Sequence, residues 1–339
     1  MKEIKRIFLL CTGGTIAAAE GADGFAPALT GEQILRFIPS MRGYCHIDVA
    51  ELFNIDSTNM TPEHWCAIVR EIKSRYDAYD GFVILHGTDT MSYTAPALSY
   101  MIQNSPKPIV LTGSQKPICL DVTDAKTNLI DSLYYACDGA SSGVQIVFDG
   151  RVIAGTRAKK THAHSYDAFS SVNFPALAVI QDGHITRYLP SVRYDAPVTF
   201  ADKLHTNIAV LKLIPGSRPE LLEYMFRQYD CLIIEGFGVG GLPAHLQEAF
   251  YKLMEHFARD GKLAVITTQV LNEGSNMEVY EVGQRVKRDF DLLETYDMTF
   301  ESAITKLMYL MARYPGDYRA IRKGFYETVH YDILNPRRG

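Results

Sequence analysis

Short apolar runs that alternate with amphipathic stretches restrict the fold of this chain more than any other feature. Strand-like runs at 5–11, 82–86, 108–112 and 144–148 are separated by helix-like stretches at 30–38, 61–78, 91–104 and 123–138. That alternation predicts an α/β architecture, a parallel sheet covered by helices. Thr61-Pro62-Glu63 opens one helix with a cap and a first-turn proline, and Asp77 to Gly81 closes it. Val144 to Ala154 reads as a hairpin turning at Asp149-Gly150. From Leu189 to Thr206 the pattern lapses into Pro190, Pro197 and mixed charge, so 191–205 is expected to be a linker. It separates a larger N-terminal α/β domain over 1–190 from a smaller C-terminal α/β domain over 206–339. Strands are expected there at 207–213, 231–235 and 263–268, and helices at 244–259, 299–313 and 318–327. A chain of 339 residues exceeds the roughly 250–300 at which one core stops growing, which agrees with a division into domains.

Composition narrows the class. Hydrophobic residues at 47% and charged residues at 22% are ordinary for a globular enzyme and exclude a disordered chain. A formal charge of −5 without a basic stripe argues against a nucleic-acid partner. The six cysteines have no C-x-x-C spacing and read as reduced packing residues of a cytosolic protein. No signal-peptide pattern follows Met1, and no apolar run approaches the roughly 18–20 residues of a membrane span. A cytoplasmic, dissolved protein is expected.

Two strand ends carry hydroxyls on glycine-hinged turns. Thr12-Gly13-Gly14-Thr15 follows the first apolar run, and His86-Gly87-Thr88-Asp89-Thr90 follows the run at 82–86. Glycine allows positive φ and lets a small electrophile approach main-chain N–H groups closely. In open parallel α/β sheets ligands bind beyond the carboxyl ends of strands, so Thr15 and Thr88 would share a crevice if their strands were neighbours. The plain alternative is a pair of strand-to-helix turns with threonine caps. Asp56-Ser57-Thr58-Asn59-Met60 offers a carboxylate, hydroxyls and an amide suited to a small zwitterion. Of Lys159-Lys160, a lysine held near Thr88 and Asp89 would be placed to activate a hydroxyl or water. His162-Ala163-His164 suggests a rival reading, a metal-dependent amidohydrolase, although no further ligand spacing accompanies it. Gly236-Phe-Gly-Val-Gly-Gly241 satisfies the dinucleotide fingerprint formally, but Pro243 follows at once and the next strand ends without the expected acid.

Taken together, T-G-G-T-I near the N-terminus, D-S-T-N-M and H-G-T-D-T before helices, L-T-G-S-Q at 111–115 and K-T-H-A at 160–163 resemble the bacterial-type L-asparaginase family, in its cytoplasmic type I branch. The resemblance continues more loosely through 236–241, Asp297-Met298-Thr299 and Thr305-Lys306-Leu307. It implies hydrolysis of L-asparagine to L-aspartate and ammonia, with Thr15 as nucleophile and a covalent acyl-enzyme. Thr88, Asp89 and Lys160 would form a second catalytic group. Ser57 and Asp89 would hold the α-carboxylate and α-amino groups, with Thr58 lining the pocket. Many relatives carry a mobile-loop tyrosine where this chain has Phe25, and phenylalanine cannot transfer a proton. Tyr280 aligns with the C-terminal-domain tyrosine that other members use, and is the expected replacement. The family implies no cofactor and no metal, and a homodimer or dimer of dimers. Residues 281–296 depart from its pattern and are left unassigned. A broader glutaminase-asparaginase, a component of an amidotransferase and a catalytically weak small-ligand binding protein stay open as alternatives.

Overall fold

The computed structural model describes residues 4–334 apart from 22, 23, 42, 260, 280 and 291. The chain divides into two units, Met1–Asp202 and Lys203–Gly339.

The first unit is organised on strands β1 (Arg6–Gly13), β2 (His46–Ile55), β3 (Gly81–Leu85), β4 (Pro108–Thr112), β5 (Gly143–Phe148), β6 (Arg151–Ala154), β7 (Ala178–Gln181) and β8 (His184–Arg187). Among the described residues they form one eight-stranded sheet ordered β8-β7-β6-β5-β4-β3-β1-β2. Strands β2, β1, β3, β4 and β5 run parallel, and β6, β7 and β8 extend the sheet antiparallel. Every residue of β3, β4 and β5 is buried, because helices cover both faces, and such strands read as near-continuous apolar runs. Successive side chains alternate between the faces. Ile7, Leu9, Val83, Leu85, Val110 and Val147 share a core with Leu129 and Leu133 of helix Ala125–Cys137. Phe8 and Phe82 instead meet the rings of Tyr79 and Tyr76. The hairpin turns where it was expected, with Asp149 at φ 49° and Gly150 at φ 67°, both left-handed as a tight two-residue turn requires.

Two local readings change. The helix expected over 91–104 ends at Met101, because Ile102 and Gln103 pair antiparallel with Phe200 and Thr199 and Asn104 takes φ 59°. That pairing lies inside the stretch read as a linker, and the boundary between the units falls after Asp202.

The second unit carries a four-stranded parallel sheet of β9 (Ile208–Lys212), β10 (Cys231–Gly236), β11 (Leu263–Thr268) and β12 (Leu293–Glu294). Helices Ala244–Arg259, Phe300–Arg313 and Tyr318–Tyr326 lie where the sequence pattern puts them. Two more do not stand out in the pattern. Pro219–Gln228 buries only Leu222 and Phe226, and Glu281–Phe290 is dominated by charge, so neither shows a wide apolar stripe. No described helix is long and apolar enough to cross a membrane.

Lys306 and Asp332, exposed to only 1% and 0%, form an ion pair of 2.7 Å inside this unit, and the Lys306 ammonium also donates to the Glu327 carbonyl at 2.7 Å. Removing one partner would leave the other charge buried and uncompensated. Asp332→Ala is therefore expected to cost about 3–5 kcal/mol, read as a lower urea midpoint with an unchanged slope.

His86 is fully buried behind β3. Its Nδ1 bonds the Gly87 carbonyl at 2.6 Å, and a carbonyl only accepts, so Nδ1 carries the proton. Nε2 then accepts from the Thr94 hydroxyl at 2.9 Å, which itself accepts from Trp65 Nε1 at 2.9 Å. Burial pushes the imidazole down to about 4, and His330 is lowered to about 4 for the same reason. A folded-state value below the unfolded one means that the native state binds fewer protons. The stability associated with each neutral ring is complete above the unfolded value of about 6.5 and is lost as pH falls toward 4, by up to about 3 kcal/mol per ring. The Asp131 carboxyl, which burial pushes up to about 6, opposes this over the same window because it binds its proton in the native state, so urea midpoints should fall between pH 7 and pH 4 by less than the two rings alone would give; a rise would contradict the neutral rings.

Candidate active site

The chain passes from β1 to β2 on one side of the sheet and then returns to β3, β4 and β5 on the other. The order of strands therefore switches between β1 and β3, and in doubly wound sheets of this 2-1-3-4-5 order a ligand crevice opens there, beyond the strands' carboxyl ends. The two hydroxyl-bearing turns singled out in the sequence leave these two strands.

The first turn is tied down before it reaches Thr15. Thr12 Oγ1 donates to the Leu85 carbonyl at 2.8 Å, joining the ends of β1 and β3. Gly13 at φ 101° and Gly14 at φ 82° both occupy left-handed backbone, and Gly14 N–H donates to the Ile55 carbonyl at 3.0 Å. A Cβ on Gly14 would lie 2.4 Å from the Gly87 nitrogen, so the two turns touch backbone to backbone, which only glycine permits. Thr15 then opens a 3₁₀ turn, Thr15–Ala17, and is partly exposed.

The turn after β2 closes the site from a third strand. The Asp56 carboxylate accepts from Thr58 N–H and from Thr58 Oγ1, each at 2.8 Å, as an N-cap does. That geometry buries Ser57 at 3% exposure. Its Oγ would stand 2.5 Å from a Cβ on Gly87, so the serine hydroxyl fills the space that the second glycine leaves. Thr90 Oγ1 donates to the Ser57 carbonyl at 2.8 Å and holds the turns after β2 and β3 together. Thr58 is exposed, and its hydroxyl is taken by Asp56.

Thr88 is buried, 5% exposed, and has a polar partner on either side. Lys160 Nζ donates to Thr88 Oγ1 at 2.7 Å and to Asp89 Oδ1 at 2.6 Å. Lys160 ends a short strand, Ala158–Lys160, paired with Phe169–Ser171, which carries the lysine to the end of β3. Thr88 Oγ1 in turn donates to Gln115 Oε1 at 3.1 Å. Gln115, at the end of β4, sends its amide nitrogen to the Ala163 and Ser165 carbonyls at 3.0 and 3.1 Å. Its backbone N–H donates to Asp124 at 2.8 Å, a carboxyl that burial pushes up from its ordinary value. The Asp89 side chain remains 54% exposed and Lys160 only 16%. The carboxylate is thus open to an incoming ammonium group, while the lysine is held inward.

The structure thus gathers Thr15, Ser57, Thr88, Asp89 and Lys160 around the neighbouring ends of β1, β2 and β3. Phe25 lies in the backbone strand Gly24–Pro27, its side chain outside the described residues, and Tyr280 lies outside them altogether. His162 and His164 sit in an exposed loop, with His162 Nδ1 bonded to the Asp167 carbonyl at 3.0 Å. Among the described residues no group of three or more His, Cys, Asp and Glu side chains is arranged to hold a metal ion. The 236–241 run closes on itself, with Phe237 N–H donating to the Gly241 carbonyl at 3.0 Å and Gly240 N–H to the Phe237 carbonyl at 2.9 Å. The next helix begins only at Ala244. Sequence reasoning quoted Gln115 only as the last letter of a motif. A polar residue at a strand end beside two hydroxyl turns was the available signal.

Known proteins share this architecture along nearly the whole chain. Residues 6–193 match the family model for the asparaginase N-terminal domain and residues 207–325 the model for the glutaminase/asparaginase C-terminal domain. An L-asparaginase of Thermococcus kodakarensis is 37% identical over 94% of this chain and 96% of its own length. The L-asparaginase 1 of Escherichia coli is 34% identical over 97% and 98%. One component of the glutamyl-tRNA(Gln) amidotransferase of Methanosphaera stadtmanae is 36% identical over 90% of this chain and 72% of its own. The solved structure of the thermostable L-asparaginase from T. kodakarensis superposes with a TM-score of 0.88 at 35% identity, covering 97% of this chain and 99% of that one. Two family models that together span residues 6–193 and 207–325, with L-asparaginases 34–37% identical over nearly the whole chain, establish that this chain belongs to the asparaginase family.

Proposed function

We propose that this protein hydrolyses L-asparagine to L-aspartate and ammonia through a covalent intermediate on Thr15. The observation that carries the reading is the Lys160 ammonium bonded to both Thr88 Oγ1 and Asp89 Oδ1, at 2.7 and 2.6 Å, beside the turn that presents Thr15. The named L-asparaginases among its relatives support the choice of substrate.

In this mechanism the Thr15 hydroxyl attacks the side-chain carboxamide carbon, and its proton is relayed to the departing nitrogen as the C–N bond breaks. Ammonia leaves, and an ester joins the β-carboxyl carbon to Thr15 Oγ1. Water then attacks that ester, giving one proton to Thr15 Oγ1 as L-aspartate is released. Two modest barriers replace one large barrier. Thr88, Asp89 and Lys160 polarise the attacking hydroxyl or water. Ser57 binds the substrate α-carboxylate, and the half-exposed Asp89 receives its α-ammonium. Thr58 serves the pocket through the turn it stabilises with Asp56. The resemblance of its segment to family members supports Tyr280 as the acceptor of the Thr15 proton in place of Phe25. No cofactor or metal enters the scheme. We also infer a cytoplasmic homo-oligomer, a dimer or a dimer of dimers, in keeping with a relative described as a probable cytoplasmic L-asparaginase, from Campylobacter jejuni.

Ammonia release from L-asparagine and L-glutamine is the direct test, made with wild type, Thr15→Ala and Thr88→Val in the presence of a chelator. Chelator-resistant release from asparagine is expected, with kcat reduced on the order of 10⁴-fold in Thr15→Ala and 10³-fold in Thr88→Val. Comparable release from glutamine would make the protein a glutaminase-asparaginase. Absence of release from either amide would leave a binding protein, and an active, folded Thr15→Ala would remove the nucleophile. For the proton acceptor, Tyr280→Phe should slow turnover strongly while Phe25→Tyr changes it little; a normal rate in the Tyr280 variant would overturn that assignment.

A further inference from the structure

Among the described residues, the Gln115 side chain is a polar partner of Thr88 that the proposed mechanism leaves without a role. The Ala163 and Ser165 carbonyls can only accept, so the two bonds made to them, at 3.0 and 3.1 Å, identify the atom facing them as the amide nitrogen. The atom facing Thr88 is then the amide oxygen, which accepts and never donates. The Thr88 hydroxyl has one proton, and Lys160 Nζ donates to its oxygen at 2.7 Å. That proton therefore points at Gln115, at 3.1 Å. This orientation of the amide satisfies both loop carbonyls and the Thr88 hydroxyl, and it sets the direction of a hydroxyl that is only 5% exposed.

We propose that Gln115 is a positioning residue of this active site: its amide locks the Thr88 hydroxyl with the proton turned away from Lys160 and Asp89, and braces it against loop 163–165. The proposal rests on the asparaginase reading. An amide oxygen is too weak a base to take the proton, so it orients Thr88 without withdrawing the proton from it. The amide is held by its bonds to the two carbonyls, and the Gln115 main chain is anchored because its N–H donates to Asp124 at 2.8 Å, a carboxylate that also accepts from Asn128 Nδ2 at 3.2 Å. Thr88 thus presents its oxygen lone pair to Lys160 before substrate arrives. Gln115 has no bond to Ser57 or to Asp89, the groups that would hold the substrate's α-substituents. Its loss should act on turnover rather than on binding, with the effect that misorientation of a catalytic group produces, about 10–100-fold.

The test compares wild type with Gln115→Met, which keeps the volume and removes both hydrogen-bonding ends, and Gln115→Glu, which keeps an oxygen toward Thr88 but loses the donor toward loop 163–165. Three quantities are measured for each: ammonia release from L-asparagine, affinity for L-aspartate by calorimetry, and melting temperature. Gln115→Met should lose about 10–100-fold in kcat, with KM and L-aspartate affinity within about threefold of wild type. Gln115→Glu should retain a higher kcat than Gln115→Met. Wild-type kcat in Gln115→Met overturns the proposal, as does a loss in Gln115→Glu equal to or greater than that in Gln115→Met. A fall in kcat that tracks lost L-aspartate affinity and a lower melting temperature also overturns it, since that pattern is structural. If Gln115→Met does not fold, Gln115→Leu takes its place and is judged by the same kcat, L-aspartate affinity and melting-temperature criteria. A wild type that releases no ammonia from asparagine refutes the asparaginase reading itself, and the proposal with it.

Discussion

Gly14 and Gly87 meet where a side chain on either would collide with its neighbours, the Gly87 nitrogen at 2.4 Å in one case and Ser57 Oγ at 2.5 Å in the other. This contact between two turns is the constraint on which the rest of the site depends. It requires β1 and β3 to be adjacent and parallel, so that both turns leave the same edge of the sheet. It also requires glycine, since a Cβ would separate the turns and displace the threonines that follow them. The Thr12 bond to the Leu85 carbonyl repeats the connection one step earlier in the chain. The apolar core beneath the sheet is general to α/β domains; the close approach above it is what turns two strand ends into one site.

Around that contact the polar groups are satisfied in a definite order. His86, Thr94 and Trp65 form a buried chain of hydrogen bonds next to the second turn, and none of the three carries a charge. The charges stand on Lys160 and Asp89, with the lysine drawn inward and the carboxylate left partly in water. A buried hydroxyl bonded on both sides has little freedom to reorient, and in a water-poor site a fixed dipole is worth more than a mobile one. The route by which Lys160 reaches Thr88 runs through a short antiparallel ribbon outside the main sheet, 72 residues away along the chain.

The second unit is stabilised differently. Its parallel strands are fewer, and it places a buried ion pair, Lys306 with Asp332, in its interior. Lys287, on the charge-rich helix that the sequence pattern did not reveal, bonds Glu278 at 2.7 Å and Tyr296 Oη at 2.9 Å and pairs with the fully buried Glu294 at 3.3 Å. That helix is therefore held by polar contacts with residues outside it as well as by Phe290, which packs against the core and the Tyr251 ring.

What was legible in the sequence follows from period and local sterics. Mostly apolar runs at 82–86, 108–112 and 144–148 identified strands of a helix-covered sheet, and Asp149-Gly150 identified a turn, because burial and positive φ each select residue types locally. Glycine beside threonine at two strand ends pointed to the site for the same reason. The end of one helix at Met101 was not legible, since it depends on pairing with Thr199 and Phe200, far along the chain. Nor was the part of Gln115, whose meaning comes from an amide oriented by carbonyls at 163 and 165. By itself the sequence determined which segments become strands and helices and which turns can bring backbones into contact, because those depend on neighbouring residues. Only the tertiary structure decided that β1 lies beside β3, that Lys160 reaches Thr88 and that Gln115 sets the direction of its proton, because strand order and hydrogen-bond partners are properties of residues distant in the chain.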